Sequence, residues 1–228
     1  LPHRFWLIRH ALVEASSLSY LYGTEDVAVC NTTMAEQAPR YAALAALLPR
    51  AVKLICTPLT RTQATAAALF RAGYPETPIS IDPDFVEQDF GQWQGMPIAG
   101  FYARNRDERH PFWPISAAET PPGGESFAAM TERVGPALDR LAATATGFDT
   151  IIITHGGTIR AACAHALGLT PHQALSLAVD NISLTRLDHH DNGWRLVSLN
   201  EHLSIPAVAA CAAPAQRTVQ AQTHGALT

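Results

Sequence analysis

The stretch IIITHGGTIRAACAHAL, residues 151–167, decides the reading of this chain. Ile151 to Ile153 is a short run of β-branched residues, the pattern of a strand buried on both faces. His155 and the pair Gly156-Gly157 follow, and an Ala-rich helix runs over Gly157–Leu167 to Gly168, a residue suited to ending a helix. Two other stretches repeat the strand–turn–helix design. RFWLIRHALVE, residues 4–14, ends the apolar run Phe5–Ile8 in Arg9-His10; LICTPLTRTQATAAALF, residues 54–70, ends the strand Val52–Cys56 in a Thr-Pro turn and carries Arg61 in the first helical turn.

Working outward, Ile79–Ile81 reads as a weaker strand. Further helices are expected over Met34–Leu48, stopped by Pro49, over Thr60–Ala72, and over Ser126–Ala145. In the last of these Phe127, Met130, Val134, Leu138 and Leu141 mark one face. Ile182–Leu187 and Trp194–Leu199 flank Asp191-Asn192-Gly193, a hairpin turn signal. Strands alternating with helices predict an α/β fold with a mostly parallel sheet and one antiparallel element at the late hairpin. The expected organisation is one catalytic domain over residues 1–204, an aperiodic Pro- and Trp-containing insertion over 98–122, and a tail over 205–228 with little to bury, expected to be mobile or laid over the surface.

The chain has 228 residues, 47% of them apolar and 16% charged, with a net charge of -4. That composition predicts a globular protein with a full core and no electrostatic footprint for nucleic acid or an anionic membrane. No apolar run approaches the ~20 residues of a bilayer span. The sequence begins at Leu1 rather than Met, and its first residues show no signal-peptide pattern. Cys30, Cys56, Cys163 and Cys211 have no C-x-x-C spacing. They predict neither a disulfide framework nor a zinc site and suit a reducing cytoplasm.

Ligands of open parallel sheets bind at the carboxyl ends of strands. There the sequence delivers Arg9, His10, Arg61 and His155, with Gly156-Gly157 opening a helix whose free N–H groups face an anion. Arginine suits bidentate phosphate contacts. Together these groups predict a pocket for a tetrahedral oxyanion, a phosphoryl group. A fourth stretch, FVEQDFGQWQG at 85–95, offers Glu87 as an acid, with Asp84 and Asp89 as competitors on composition alone.

The motifs LIRHA (7–11), TPLTRTQATA (57–66), VEQDFGQWQG (86–95), PPGGESF (121–127) and ITHGGTIR (153–160), in this order, resemble the histidine phosphatases, the phosphoglycerate mutase-like superfamily, over about residues 4–200. The resemblance implies a three-layer α/β/α sandwich and a covalent phosphohistidine. His10 would be the nucleophile, Arg9, Arg61 and His155 would hold the phosphoryl oxygens, and Glu87 would donate the proton. Ser16 would stand where a polar phosphate contact often occurs, and Gly156 would line the substrate. Ala11 and Met34 replace the usual glycines, and Thr24 replaces a substrate-reading arginine or tryptophan, so substrate identity does not carry over.

The expected activity is metal-independent hydrolysis of a small phosphorylated metabolite, with no cofactor. The rivals are a mutase of the same family, a metallohydrolase on His10, His155 and Glu87, and a phosphate-binding module without turnover. EQDFGQWQG resembles the phosphatase branch rather than the mutases, and Arg9 and Arg61 would repel a cation. Glu125-Ser126 reads as a helix start. Arg104, Arg106, Arg109 and His110, interleaved with Asp107 and Glu108, read as a solvated mixed-charge face; His165, His172, His189 and His190 need no function.

Overall fold

A computed structural model describes residues 2–104, 109–144 and 147–203. One six-stranded sheet forms the centre, in the order β3-β2-β4-β1-β5-β6. Its strands are β1 (His3–Arg9), β2 (Val52–Cys56), β3 (Ile79–Ile81), β4 (Asp149–Thr154), β5 (Leu184–His190) and β6 (Gly193–Glu201). β3, β2, β4 and β1 run parallel, and β5 is antiparallel to both β1 and β6. The predicted hairpin is thus the antiparallel element, turning at Asp191-Asn192 with an irregular register between Leu184 and Leu187.

Alternation along the strands builds two cores. Phe5, Leu7, Ile55 and Ile152 point to one face, where Val134 and Leu138 of α5 (Phe127–Ala143) and Ile159 and Cys163 of α6 (Gly156–Leu167) cover them. Trp6, Ile8, Leu54, Ile151 and Ile153 point to the other. They meet Leu44 and Leu48 in and after α2 (Ala38–Leu47) and Leu69 of α3 (Thr60–Arg71). Helices on both faces of a mostly parallel sheet are the expected three layers. β4 is buried along its whole length, which explains its continuous apolar run. Each fully buried side chain here contributes about 1.5–3 kcal/mol relative to exposure.

Two expectations need correction. The helix expected over Met34–Leu48 is two helices, α1 (Asn31–Glu36) and α2, broken at Gln37. Pro39 sits in the first turn of α2 and has no N–H to extend a ladder from α1. The aperiodic segment over 98–122 begins with α4 (Ile98–Tyr102) and buries Phe101 and Ile115 against Leu21 and Phe90, a third apolar cluster. His110 is therefore no part of a solvated face. It is 1% exposed, its Nδ1 accepting from the Phe112 N–H and its ring edge-on to His172 of the short helix α7 (Pro171–Ala174). Arg104 pairs with Glu119, and Arg109 lies over the Tyr102 ring. The expected tail over 205–228, Cys211, and Arg106 with Asp107 and Glu108 lie outside the described residues. No helix among the described residues is long and apolar enough to cross a membrane.

Candidate active site

Sheet order brings the three basic turns together. β4 lies between β2 and β1, with Arg9 opposite Thr154 and Cys56 opposite Ile153. One residue further along, His10 and His155 leave neighbouring strand ends with ring centroids 5.1 Å apart. The His10 backbone N–H donates to Thr154 O, and Asn181 Nδ2 donates to His10 O, fixing the chain on both sides of the ring.

The tautomers follow from the partners. His10 Nδ1 lies 2.7 Å from the Ala11 carbonyl, which can only accept, so Nδ1 carries the proton and Nε2 carries the lone pair. Arg61 Nε–H donates to His155 Nδ1 at 3.3 Å, so the proton of neutral His155 sits on Nε2, 3.0 Å from Thr57 Oγ1. Burial, then the Arg61 and Arg9 charges, hold the His10 imidazole well below its ordinary 6.5. His155 is lowered likewise by burial, then His10 and Arg61. Both rings are neutral near pH 7.

Glu87 hangs from a strapped segment. Thr154 Oγ1 donates to Phe85 O, Thr158 Oγ1 to Val86 O, and Arg133 of α5 to the carbonyls of Asp84 and Val86. Its carboxylate then accepts the N–H groups of Gln88 (2.9 Å) and Gly157 (3.1 Å), the latter in the first turn of α6. A Cβ on Gly157 would stand 2.2 Å from Glu87 Oε1, so only glycine leaves room for this contact. The PPGGESF loop approaches the same segment so closely that a Cβ on Gly124 would meet Asp89 O at 2.3 Å. Asp84 pairs with Arg140 and Asp89 accepts from the Gly91 N–H; neither lines the cleft that Glu87 lines.

That cleft, of about 230 Å³, has Arg9, Gly23, Glu87, Gly156 and Arg160 at its floor. His10, Arg61 and His155 lie just beneath, none more than 1% exposed. Arg61 Nη1 and Nη2 donate to the carbonyls of Glu25 and Gly23 at 2.6 Å each, so the segment over 22–25 covers it. Ser16 is exposed in the turn over 15–19 and is not brought to the cleft, whereas Gly156 is. Thr24 bonds Gln94 instead. Ser126 caps α5 by accepting from the Ala129 N–H, and Glu125 pairs with Arg133. Among the described residues no group of three or more His, Cys, Asp or Glu side chains could hold a metal ion.

Sequence reasoning passes over Arg160. It stands one helical turn after Gly156, a spacing that puts both on one face of α6. A Cβ on Gly156 would meet Arg160 Nη1 at 3.1 Å and Arg9 Nε at 3.3 Å, so both guanidinium groups flank the start of α6. Arg160 donates to Leu177 O and stacks on Trp113 at 5.1 Å. Burial, then Arg9, push it down to about 10, so it stays charged at neutral pH. The orphan N–H groups of the helix start and three guanidinium groups can balance the charge of a phosphoryl dianion.

The chain matches the model of the histidine phosphatase superfamily (branch 1) over residues 5–202. Bifunctional protein Rv2228c of Mycobacterium tuberculosis is 30% identical over 199 residues, which cover 87% of this chain and 53% of that protein. The chain thus spans about half the length of the first curated relatives it matches. A protein named Probable phosphoglycerate mutase GpmB, from Yersinia enterocolitica, is 25% identical over 210 residues, covering 89% and 96%. Among solved structures, the mycobacterial glucosyl-3-phosphoglycerate phosphatase Rv2419c in complex with VO3 has a TM-score of 0.72 and 26% identity, covering 87% of this chain and 98% of that one. Mycobacterial hydrolase 1, with a TM-score of 0.75 and 22% identity over 89% and 100%, shares the fold. With the matching stretch running from β1 to just past β6, the chain belongs to the histidine phosphatase superfamily, branch 1.

Proposed function

We propose that this protein is a metal-independent phosphomonoester hydrolase that works through a phosphohistidine on His10. The carrying observation is the Nδ1–Ala11 O hydrogen bond, which leaves the Nε2 lone pair on a neutral imidazole held among Arg9, Arg61 and His155. In the first step Nε2 attacks phosphorus, the ester P–O bond breaks, and the leaving alkoxide takes a proton from the Glu87 carboxyl. In the second, Glu87 as carboxylate takes a proton from water. The hydroxide displaces His10 from phosphorus, and inorganic phosphate and neutral imidazole result.

Charge on the phosphoryl oxygens is met throughout by fixed cations, which is the electrostatic work a metal ion would otherwise do. Arg9, Arg61 and Arg160 are the proposed cationic holders, and His155 and the N–H groups at Gly156 the proposed uncharged ones. Arg61 exchanges its contacts with the carbonyls of Gly23 and Glu25 for phosphoryl oxygens as the substrate enters. The catalytic unit is residues 1–204, with 98–122 as an insertion that forms cleft wall. The substrate is a small phosphorylated metabolite. Buried free thiols at Cys56 and Cys163 support a reducing, cytoplasmic compartment.

The test is to quench turnover of a phosphate-labelled alkyl ester and look for label bound to protein, labile in acid and stable in base, on His10. Absence of such label under single-turnover conditions, with hydrolysis proceeding, overturns the mechanism. Activity retained after exhaustive EDTA treatment is the expected companion result; loss on chelation with rescue by a divalent ion would restore the metallohydrolase reading. A mutase reading is favoured by the GpmB relative alone. It predicts interconversion of 2- and 3-phosphoglycerate faster than release of phosphate.

A further inference from the structure

The cleft changes character between floor and wall. The floor carries the charges, Arg9, Glu87 and Arg160, around the start of α6. Above it the wall is Tyr20, Tyr22, Phe90, Tyr102, Phe112 and Trp113 with four aliphatic residues, and among the described residues it includes no Ser, Thr, Asn, Gln, Asp, Lys or His side chain. Among the described residues the wall's side-chain hydroxyls are the tips of three tyrosines. At the rim Tyr20, Tyr102 and Phe112 keep 42%, 39% and 66% of their surface exposed, an aromatic surface of the kind that marks a binding site.

A polyol or sugar entering such a wall loses water from several hydroxyls and finds few partners, and each unpaired buried polar group is costly. Aromatic faces also stack on sugar rings, but sugar sites pair that stacking with amide and carboxylate side chains, and none stands in this wall among the described residues. An apolar body loses nothing there and gains burial against rings. The volume, about 230 Å³, lies under the about 300–1,000 Å³ of sites for drug-sized ligands, so the body is compact.

We propose that this wall is a leaving-group subsite for a compact apolar or aromatic body, so that the protein hydrolyses monophosphate esters of alkyl or ring-bearing alcohols in preference to sugar and glycerol phosphates. The inference rests on the phosphohydrolase reading above and adds its substrate class. Arg9 and Arg160 belong to the phosphoryl end, where both flank Gly156, and do not require a second anion on the leaving group.

The experiment measures kcat/KM for 2-phenylethyl, hexyl, glycerol and glucose 6-phosphate esters, all with primary alkoxide leaving groups. Expected is a preference of about ten- to hundredfold for the first two over the last two. The double variant Tyr20→Ala/Phe112→Ala, both residues at the exposed rim, should cut the ratio of 2-phenylethyl to glycerol phosphate by about tenfold, chiefly through KM. Equal or better use of the polyol esters overturns this inference and leaves the hydrolase reading intact. So does a ratio that the double variant does not change. No turnover with any of the four esters overturns the hydrolase reading, and this inference with it.

Discussion

The floor and the wall of one cleft are built on opposite plans. The groups at and beneath the floor leave strand ends, as His10 and His155 do, lie on α6, as Arg160 does, or hang from a strapped segment, as Glu87 does, and each has partners that fix it: His10 at Ala11 O, His155 at Thr57, Glu87 at Gly157 N–H, Arg160 at Leu177 O. Wall groups come from the segment after β1, from Phe90 in the stretch over 85–95, from α4 and from the irregular segment after it, and several are half exposed. Group transfer needs reacting groups positioned to a fraction of an ångström, and strand ends, a helix start and the strap that holds Glu87 supply that. The proposed recognition of an apolar body depends on shape more than on exact placement, which loops and the short helix α4 supply.

The comparison makes the floor the place where single changes cost most. Replacing His10 with Ala should lower turnover by about 10⁴-fold or more with the fold retained. Substantial phosphohistidine-dependent hydrolysis by a folded His10→Ala protein would falsify its role. Next comes Glu87→Gln, which should slow phosphoryl transfer from alkyl esters by ~10²–10⁴-fold but hardly from nitrophenyl phosphate, whose leaving group is stable without a proton. Rapid-quench measurement of that step is required, because the same variant loses the base for the second step. Equal slowing with both esters would take the acid role away from Glu87.

Smaller effects sharpen the contrast. Arg160→Ala should raise the phosphate or vanadate concentration needed for inhibition by about tenfold or more, the loss of one charge-assisted contact of about 1.5–3 kcal/mol. Unchanged inhibition would move Arg160 from the floor to the wall. Folding stability should be complete above pH 6.5 and fall as pH drops below it. The reason is that unfolded His10 and His155 take up protons near 6.5 while the folded rings, held well below that value, do not. Each contributes up to about 1.4 kcal/mol per pH unit in that window. Chemical denaturation at several pH values checks this, and His10→Ala should flatten the slope; a slope unchanged by that substitution would mean His10 titrates normally in the folded protein.

Hydrophobic period and turn chemistry make most of the sheet legible in the amino-acid sequence. Val52–Cys56 and Ile79–Ile81 are strands at the bounds their apolar runs mark, and Gly168 ends α6 in a left-handed conformation as its position implies. The break at Gln37 is not legible from alanine content, because an Ala-rich run hides the missing N–H of Pro39. His110 has charged neighbours along the chain, the pattern of a solvated residue; the tertiary fold buries it, because Phe101 and Ile115 pull the segment down onto Leu21 and Phe90.

Sequence by itself determined the layers of this protein and the basic groups at its strand ends, since both follow from local periods of two and 3.6 residues and from what stands immediately after each run. Only the tertiary structure decided which groups meet. Among Asp84, Glu87 and Asp89 it brings Glu87 to the start of α6, it leaves Ser16 exposed, and it adds Arg160 beside Arg9. The physical reason is distance along the chain: Glu87 meets Gly157 across 70 residues, and a contact of that span is set by sheet order and by the straps from Thr154, Thr158 and Arg133, none of which leaves a mark in the local sequence.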